Sequence, residues 1–451
     1  MLNIKIDTTK IIKEMKPMHG VGQPPLVGID TKYFSYLKDA HIPFSRLHDV
    51  GGWFGGNLWV DIPNVFRNFD ADENDPESYD FTFTDILIKG LVENNCKPIY
   101  RLGVTIENFQ HIKAYRIFPP KDMKKWAVIC EHIIRHYNEG WADGYYYDIE
   151  YWEIWNEPDN GRPEKKTENM MWKGTAEEFY ELYRVTSGHL RSCFGDKIKI
   201  GGYGHSGFYV VDDIEDISKT LAVGMAMKEP ATEWGGRIQY FIKFFDGFID
   251  MVVKEKLPFD FFSHHSYADV EATLKRQIYV EERLKEAGLS NVEIHLNEWN
   301  NSVAQEERRT LKACSKALSM MIAMQNRKME MMCFYDARMT ASAYAGLFNP
   351  LTCTPVSAYY GFKAFGELYI LENQVECSCE RDGMYALAAF NGQIGKAIVV
   401  NNKDTSEKVC IEGVTCKEMY LISESKNLEK LSDNENVCVL EPYETVLAVY
   451  E

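Results

Sequence analysis

The stretches EYWEIWNEP at residues 150–158 and VEIHLNEWN at residues 292–300 decide the predicted fold. Each is short, rich in aromatic and branched apolar residues, and ended by turn-forming residues, which is typical of a buried β-strand. Six further segments have the same character: MHGVG (18–22), PFSRLHD (43–49), KPIYRLG (97–103), IKIGGYG (198–204), FDFFSHHSY (259–267) and MMCFYD (331–336). The segments between them, such as DMKKWAVICEHIIRHYN, carry apolar residues at three- and four-residue intervals and predict helices. Eight strands that alternate with helices predict an α/β fold, a (β/α)8 TIM barrel over residues 16–370.

The last part of the chain has a different pattern. After SAYYGFKAFGELYIL, which predicts the eighth helix, short alternating segments such as MYALAAF, KAIVVNN and ETVLAVY are separated by Gly, Asn and Asp. This pattern predicts an accessory antiparallel β-sandwich domain over residues 371–451. The opening NIKID also alternates, and we expect a strand within residues 1–8 to pair with this domain.

The charge and the cysteines limit the classes of partner. The 50 basic and 67 acidic residues give a net charge of -17, which repels nucleic acid and anionic lipid, so we expect neither nucleic acid nor membrane as a partner. The first residues do not have the pattern of a signal peptide, and no apolar run approaches membrane-spanning length. The eleven cysteines are an odd number without paired spacing, which indicates reduced thiols and a cytoplasmic protein.

Two of the predicted strands end in a glutamate. Strand four ends in Asn156-Glu157-Pro158, and strand seven ends in Asn297-Glu298. Catalytic side chains of a β/α barrel lie at the C-terminal ends of the strands, where strands four and seven face each other across the mouth. Pro158 is expected to end its strand and to hold Glu157 in an extended backbone. Hydrolysis of a glycosidic bond with retention needs two carboxyl groups about 5 to 5.5 Å apart, so the pair predicts a glycoside hydrolase.

Each glutamate motif by itself is also typical of a polar turn at a strand end. The occurrence of both motifs on strands four and seven favours catalysis over this simpler interpretation. In such a pair the proton donor has to stay protonated, and the charge of the nucleophile is expected to raise the pKa of its neighbour. Arg46, at the end of strand two, is the candidate cation that keeps Glu298 ionised.

Four motifs make the chain resemble a known family: WEIWNEPD (152–159), IHLNEWN (294–300), RLHD (46–49) and HHSY (264–267). In order and spacing they resemble the clan A glycoside hydrolases and, within that clan, glycoside hydrolase family 39, the family of the β-xylosidases. The resemblance implies a β/α barrel with a β-sandwich, Glu157 as the general acid/base and Glu298 as the nucleophile. It also implies a small carbohydrate substrate, no cofactor and no metal, and it is consistent with a homo-oligomer.

The resemblance further implies which polar residues bind the sugar. Asn156 is expected to hydrogen-bond the 2-hydroxyl group at the cleavage point, an interaction that strengthens in the transition state. His48, His265 and Tyr267 match positions that line the sugar pocket, and Tyr267 is expected to hydrogen-bond the nucleophile. His264 points the opposite way from His265 in an alternating strand, so we expect it in the core.

Aromatic rings at strand ends can offer flat apolar faces to the C–H groups of a sugar. Four such residues lie at or just beyond predicted strand ends: Trp53, Trp155, Trp299 and Tyr335. Each can equally be a packing residue of the core. We expect Trp299 and Tyr335 to contact substrate.

The segment after strand eight departs from the family. The β-xylosidases continue with an acidic Phe-Glu-Glu type segment that helps to bind the sugar, whereas this chain reads FYDARMTASAYAGLFNP. Asp336 and Arg338 replace that pattern and are expected to face the sugar. The sequence therefore leaves open whether the glycone is xylose, as in a β-xylosidase, or another sugar, as in an exo-acting α-L-arabinosidase or another glycosidase of the clan.

Two other classes of protein share parts of this pattern. A metal-dependent sugar isomerase is also a barrel, but it needs several converging His, Asp and Glu ligands, and His265 and Asp336 have too few evident partners. A non-catalytic sugar-binding protein needs the aromatic pocket but gains nothing from a second carboxylate opposite the first. The paired glutamates therefore favour the hydrolase.

Overall fold

The computed structural model describes the chain except for residues 50–58, 106–116, 166–170, 214–231, 303, 341–343 and 433–435. The chain begins with strand β1 (Leu2–Glu14), and the next eight strands form a closed parallel barrel in sequence order. The barrel strands are β2 (Gly20–Gly22), β3 (Phe44–Leu47), β4 (Lys97–Leu102), β5 (Tyr151–Ile154), β6 (Lys199–His205), β7 (Phe261–Ser266), β8 (Glu293–Trp299) and β9 (Met331–Phe334). In this order they are called barrel strands one to eight. All eight predicted strands are confirmed.

Helices connect the barrel strands and form the outer layer. They are α1 (Ser35–Asp39), α2 (Ile62–Val65), α3 (Thr82–Glu93), α4 (Met123–Glu139), α5 (Ala176–Phe194), α6 (Glu233–Glu255), α7 (Val270–Glu286), α8 (Leu311–Gln325) and α9 (Ser357–Tyr369). Their first turns follow from local sequence: Thr175 and Glu178 close a capping box at the start of α5, and Asp122 accepts two backbone N–H groups at the start of α4. Short 3-10 turns occur at Lys32–Phe34, Pro76–Ser78, Gly195–Lys197, Tyr209–Asp213 and Gln305–Glu307.

The remaining strands form a second, mostly antiparallel sheet. They are β10 (Asn373–Ser378), β11 (Met384–Phe390), β12 (Gly395–Asn401), β13 (Glu407–Glu412), β14 (Cys416–Ile422), β15 (Asn427–Lys430), β16 (Val437–Leu440) and β17 (Thr445–Tyr450). The sheet has nine strands in the order β15-β14-β17-β12-β11-β10-β1-β13-β16. The expected N-terminal strand is longer than residues 1–8, and it pairs antiparallel with β10 and parallel with β13.

Both faces of this sheet carry buried apolar residues. Met419 of β14 and Leu440 of β16 lie near opposite ends of the strand order yet belong to one apolar core, so the sheet folds over itself as a sandwich does. Alternation along β12 places Val399 in that core and Ile398 in the core of the barrel. We propose residues 16–370 and 371–451 as the division into domains, with β1 added to the second.

The eleven cysteines all lie within the described ranges and form no disulfide there. Seven of them are partly exposed or lie in the second sheet, and Cys96, Cys130, Cys314 and Cys333 are buried in the barrel or its helices. Among the described helices, none combines the length and the apolar composition needed to cross a bilayer.

Candidate active site

A cavity of about 320 Å³ opens where the barrel strands end, and both predicted catalytic glutamates line it. Five of the predicted site residues line its wall: Glu157, Glu298, His48, Tyr267 and Tyr335. Eight further residues line it that were not among the predicted site residues: Asp49, Asn160, Ser206, Tyr209, Trp234, Arg237, Phe241 and Tyr344. Parallel strands deliver their C-terminal side chains to one end of a barrel, which is why distant segments meet here.

The backbone around Glu157 differs from the expectation. Barrel strand four ends at Ile154, and Trp155 and Glu157 have φ values of 73° and 45°, in the left-handed region. The backbone N–H of Trp155 donates to Leu102 O (2.8 Å), and that of Glu157 donates to Gly204 O (2.9 Å). These bonds to the neighbouring strands outweigh the preference of a residue before proline for an extended backbone.

The two glutamates face each other as the strand positions predict. A carboxylate oxygen of Glu157, one of Glu298 and a ring nitrogen of His265 all lie within 4.8 Å of one another. Glu157 accepts hydrogen bonds from His265 Nδ1 (2.7 Å) and Asn160 Nδ2 (2.6 Å). Glu298 accepts from the Tyr267 hydroxyl (2.5 Å) and from Arg46 Nη1 (3.0 Å). Each carboxylate is therefore oriented by two donors.

Arg46, on barrel strand two, bridges barrel strands four and seven beneath the cavity. Its guanidinium donates to Glu298, to Glu153 Oε2 (2.7 Å) and to Asn156 Oδ1 (2.6 Å), and its side chain is 1% exposed. Glu153 also accepts from Ser263 Oγ and Asn297 Nδ2, both at 2.6 Å. Buried charges are tolerated only when such partners satisfy them, and these contacts do so.

Glu153 was missed at the sequence level, although one signal was present. It is an acidic residue inside an otherwise apolar strand, YWEI, and it is fully buried. A buried acid requires hydrogen-bond donors or a paired cation, and Arg46 on barrel strand two supplies both.

Glu157 and His265 change each other's protonation. Burial raises the pKa of Glu157, but the hydrogen bond and the charge of His265 outweigh it, so the net shift is downward. Burial lowers the pKa of His265, but the charge of Glu298 and the bond to Glu157 outweigh it, so the net shift is upward. The expected upward shift for Glu157 is therefore reversed, because His265, rather than Glu298, is its dominant neighbour.

Among the described residues, only the oxygen of the Asn156 side-chain amide forms a hydrogen bond. Its Oδ1 accepts from Arg46, whereas its Nδ2 has no hydrogen-bond partner within the described part of the chain, although the residue is 1% exposed. Gly204 lies against it with a φ of 64°, and a Cβ there would come within 3.1 Å of Asn156 Oδ1. Glycine thus permits the close approach of barrel strand five.

The structure corrects the expectation for Trp299. Its side chain is fully buried and packs edge-to-face on Phe334, with ring centroids 5.0 Å apart. Successive side chains of a strand point to opposite faces, so Trp299 points towards the helices when Glu298 points into the cavity. Trp155 is also buried, and Trp53 lies outside the described residues. His264 packs in the core as predicted, bonded to Gln277 (3.0 Å).

Asp336 and Arg338 also differ from the expectation, because they pair with each other rather than lining the cavity. Arg338 Nε donates to Asp336 Oδ2 (2.6 Å), and Asp336 is 1% exposed. Arg338 Nη2 donates to the Tyr335 hydroxyl (3.0 Å), which in turn donates to Asp49 Oδ2 (2.8 Å). At this part of the cavity the carboxylate that lines the wall is therefore that of Asp49, not that of Asp336.

The cavity has two different ends. The Tyr335 end is formed by residues of the segments that follow barrel strands two and eight: His48, Asp49, Tyr335 and Tyr344. The Trp234 end is formed after strands four and five and on α6: Asn160, Ser206, Tyr209, Trp234, Arg237 and Phe241. Strands two and eight both neighbour strand one, whereas strands four and five lie across the barrel, so the glutamates stand between the two ends.

The trio of Glu157, His265 and Glu298 is also compact enough to share a metal ion. Its two carboxylates already have partners: Arg46 and Tyr267 on Glu298, and Asn160 and His265 on Glu157. The cation of Arg46 provides the positive charge that an ion would provide. The geometry fits two oriented carboxylates better than a metal centre.

Comparison with known proteins gives a consistent family. The family model described as "Glycosyl hydrolases family 39" matches residues 7–340. A curated β-xylosidase from Caldicellulosiruptor saccharolyticus is 26% identical over 168 residues, which is 35% of this chain and only 30% of the relative's length.

Solved structures of similar fold include a glucosidase from Croceicoccus marinus, with a TM-score of 0.76 and 16% identity, covering 100% of this chain and 99% of that one. A family 39 β-xylosidase from Caulobacter crescentus has a TM-score of 0.67 and 14% identity, covering 100% of both chains. At this level of identity the two structures support the fold alone.

Proposed function

Because the chain belongs to glycosyl hydrolases family 39, we propose that it is a retaining glycosidase in which Glu298 is the nucleophile and Glu157 the general acid/base. The observation that carries the proposal is the carboxylate pair, with oxygens of the two glutamates within 4.8 Å of each other. Retaining enzymes need carboxyl groups about 5 to 5.5 Å apart, whereas inverting enzymes need about 6.5 to 9.5 Å to admit a water.

In the first step Glu298 attacks the anomeric carbon, and the bond to the leaving oxygen breaks. That oxygen takes the proton held by the Glu157–His265 pair and leaves as an alcohol. In the second step Glu157, now the base, removes a proton from water, and the hydroxide attacks the anomeric carbon and releases Glu298. Two inversions return the original configuration.

The neighbours of the glutamates support these roles. Arg46 and Tyr267 each donate to one oxygen of Glu298, which fixes the orientation of the carboxylate in the cavity. The Nδ2 group of Asn156, which lacks a partner in the described part of the chain, is available to donate to the 2-hydroxyl of the sugar. Such a bond adds most when charge develops on the sugar ring.

The proposed substrate is a short oligosaccharide or a simple glycoside from which one sugar is removed. The β-xylosidase name of the curated relative favours a β-xyloside, although that match covers 30% of the relative. The glycone is best identified by direct assay with aryl β-xyloside, α-arabinoside, β-glucoside and β-galactoside.

The experiment compares the wild type with Glu157→Gln and Glu298→Gln on the aryl glycoside that the wild type hydrolyses fastest. We expect each variant to lose at least about 100-fold in kcat, and the first-formed sugar of the wild type, followed by NMR, to retain its configuration. Glu150→Gln is the matched control, because Glu150 lies just before the same strand and pairs with Lys199 (2.8 Å). Unchanged hydrolysis in both variants, or inversion of configuration, would contradict the mechanism.

Added azide separates the two roles. In Glu157→Ala, azide should attack the covalent intermediate and give a glycosyl azide of retained configuration. In Glu298→Ala, azide should replace the missing carboxylate on the opposite face and give the inverted product. The reverse result would exchange the two assignments.

A further inference from the structure

Three side chains of metal-ligating type meet in the helical layer, outside the cavity: Glu131, His189 and Cys193. A carboxylate oxygen, an imidazole nitrogen and the thiol sulfur all lie within 4.8 Å of one another. Among the described residues, the other group of three such side chains within this distance is the catalytic trio, which contains no sulfur. We call the first group the helix-layer cluster.

The spacing along α5 puts two members of the cluster on one face. His189 and Cys193 are four residues apart, so their side chains lie one turn apart on the same side of the helix. α4, which packs against α5, contributes Glu131. His189 Nε2 lies 2.6 Å from Glu131 Oε2, and Cys193 Sγ lies 3.7 Å from the same nitrogen. Two neighbouring helices thus bring a carboxylate, an imidazole and a thiol to one point.

The distances are close to those of a tetrahedral metal site. With Zn–S and Zn–N bonds of ordinary length, sulfur and nitrogen are about 3.6 Å apart, and nitrogen and a carboxylate oxygen are about 3.3 Å apart. The S···N distance of 3.7 Å in the cluster fits this geometry. The N···O distance of 2.6 Å is that of a hydrogen bond, and it has to lengthen by roughly 0.7 Å when an ion takes the place of the shared proton.

The other oxygen of Glu131 has a partner that orients the carboxylate. Arg135 Nε donates to Glu131 Oε1 (2.7 Å), so that Oε2 faces His189. Arg135 also pairs with Glu139, so its charge is balanced by two acids. Partners of this kind hold a ligating carboxylate in place. The side chains of Glu131 and His189 are 14% and 30% exposed, so an ion can reach them from solvent.

We propose that Glu131, His189 and Cys193 form a binding site for a divalent transition-metal ion of the zinc class, which ties α4 to α5. Thiolate, imidazole and carboxylate are all zinc ligands, whereas magnesium and calcium take oxygen ligands. α5 ends just before barrel strand five begins, so the cluster lies towards the end of the barrel opposite the cavity. The ion is therefore expected to act on stability, and the inference does not depend on the proposed hydrolysis.

Cobalt(II) is the probe, because a thiolate bound to cobalt gives a charge-transfer absorption that oxygen and nitrogen ligands do not give. The full chain is stripped with a chelator, kept in a reductant without a thiol group, and titrated with Co²⁺. We expect one equivalent to produce the thiolate band and zinc to displace it. In Cys193→Ser the band should be lost, and in His189→Gln the affinity should fall at least about 10-fold.

Cys353→Ser is the matched control for this titration. Cys353 is likewise partly exposed, but among the described residues it belongs to no such cluster, so the band should persist. An ion held by the catalytic trio gives no thiolate band and cannot be mistaken for this site. Absence of the band in the wild type, or a band of equal strength in Cys193→Ser, overturns the proposal.

Thermal unfolding tests the link between the two helices. Free zinc at 100 times its Kd should raise the melting temperature of the wild type by roughly 3 °C and leave that of Cys193→Ser unchanged. An equal rise in both proteins would mean that the stabilising ion binds elsewhere.

Alkylation of the wild type keeps the test valid even if a variant fails to fold. A metal-bound thiolate is shielded from the reagent, so one equivalent of zinc should slow the reaction of Cys193 with iodoacetamide at least about 10-fold. The rate at Cys353, read from the same peptide mass spectra, should not change. Equal alkylation of Cys193 with and without zinc would overturn the site.

Discussion

The proton that the proposed mechanism needs is shared between Glu157 and His265. His265 Nδ1 lies 2.7 Å from Glu157, and His265 Nε2 lies 3.8 Å from Glu298. The charged groups that face the imidazole are thus the two glutamates, which raise its pKa, and Arg46, which lowers it after the larger effect of burial. The pair, rather than Glu157 alone, titrates as the acid.

The pH profile should report this pair. The raised pKa of His265 lets the pair keep its transferable proton at a pH where an ordinary histidine would have lost it. The activity of the wild type should therefore fall only at higher pH. In His265→Gln the proton resides on Glu157 alone, a carboxyl group, so the alkaline limb of kcat/KM should move to lower pH. An unmoved limb would contradict the shared proton.

His264→Gln is the control for this measurement. His264 lies next to His265 but bonds Gln277, and burial lowers its pKa to about 3, so it is neutral throughout the working range. Its substitution should leave both limbs of the profile in place, even if the variant is less stable.

At the scale of the elements, alternation along a strand assigns neighbouring residues to different tasks. Glu298 of β8 faces the cavity, and Trp299 faces the helical layer, where it packs on Phe334. The aromatic surface near the acid/base comes instead from α6 and the loop after barrel strand five. Trp234 is 52% exposed and lies 5.7 Å from the Tyr209 ring.

The two tryptophans should therefore respond differently to substitution. Trp299→Leu removes a buried ring and should lower the free energy of unfolding by about 2–4 kcal/mol. The KM of the folded enzyme should stay nearly unchanged. Trp234→Ala should leave the melting temperature within about 1–2 °C and raise KM several-fold, because an exposed ring contributes about 0.5 kcal/mol or less to stability. Thermal unfolding and steady-state kinetics on both variants check this. A KM effect confined to Trp299→Leu would reverse the assignment.

At the scale of the whole molecule, the first strand ties the chain ends together. β1 lies between β10 and β13, third from the β16 edge of a sheet whose other strands all come from the last part of the chain. Ile4 is fully buried in the core of that sheet, and the opposite face of β12 packs against the barrel through Ile398. Loss of this strand would leave two strands with unpaired edges.

Ile4→Asp tests this role. A charge without a partner in the core should lower the unfolding free energy by several kcal/mol, seen as a lower melting temperature or an early separate transition of the second sheet. Asn3→Asp places the same side chain on the exposed face of the same strand and should melt like the wild type. Equal melting of the two variants would mean that the strand is dispensable.

The sequence by itself determined the order of strands and helices and the two residues at the centre of the site. Both depend on local physics: a period of two or of about 3.6 residues, and turn residues that end an element, act within a few positions. The glutamates were found because each stands at the end of a strand whose place in the barrel follows from counting. The alternation that put His264 in the core was readable in the same way, and it would have excluded Trp299.

Only the tertiary structure decided the contacts between strands. Arg46 meets Glu153 and Glu298 across 107 and 252 residues of sequence, and Tyr335 meets Asp49 across 286, distances over which no local pattern carries information. The direction of the Glu157 pKa and its left-handed backbone likewise depend on contacts with other strands, to His265 and to Gly204. Hydrogen bonds need a donor and an acceptor within about 3.2 Å, and Coulomb energies weaken with distance, so both are set by which side chains the closed barrel brings together.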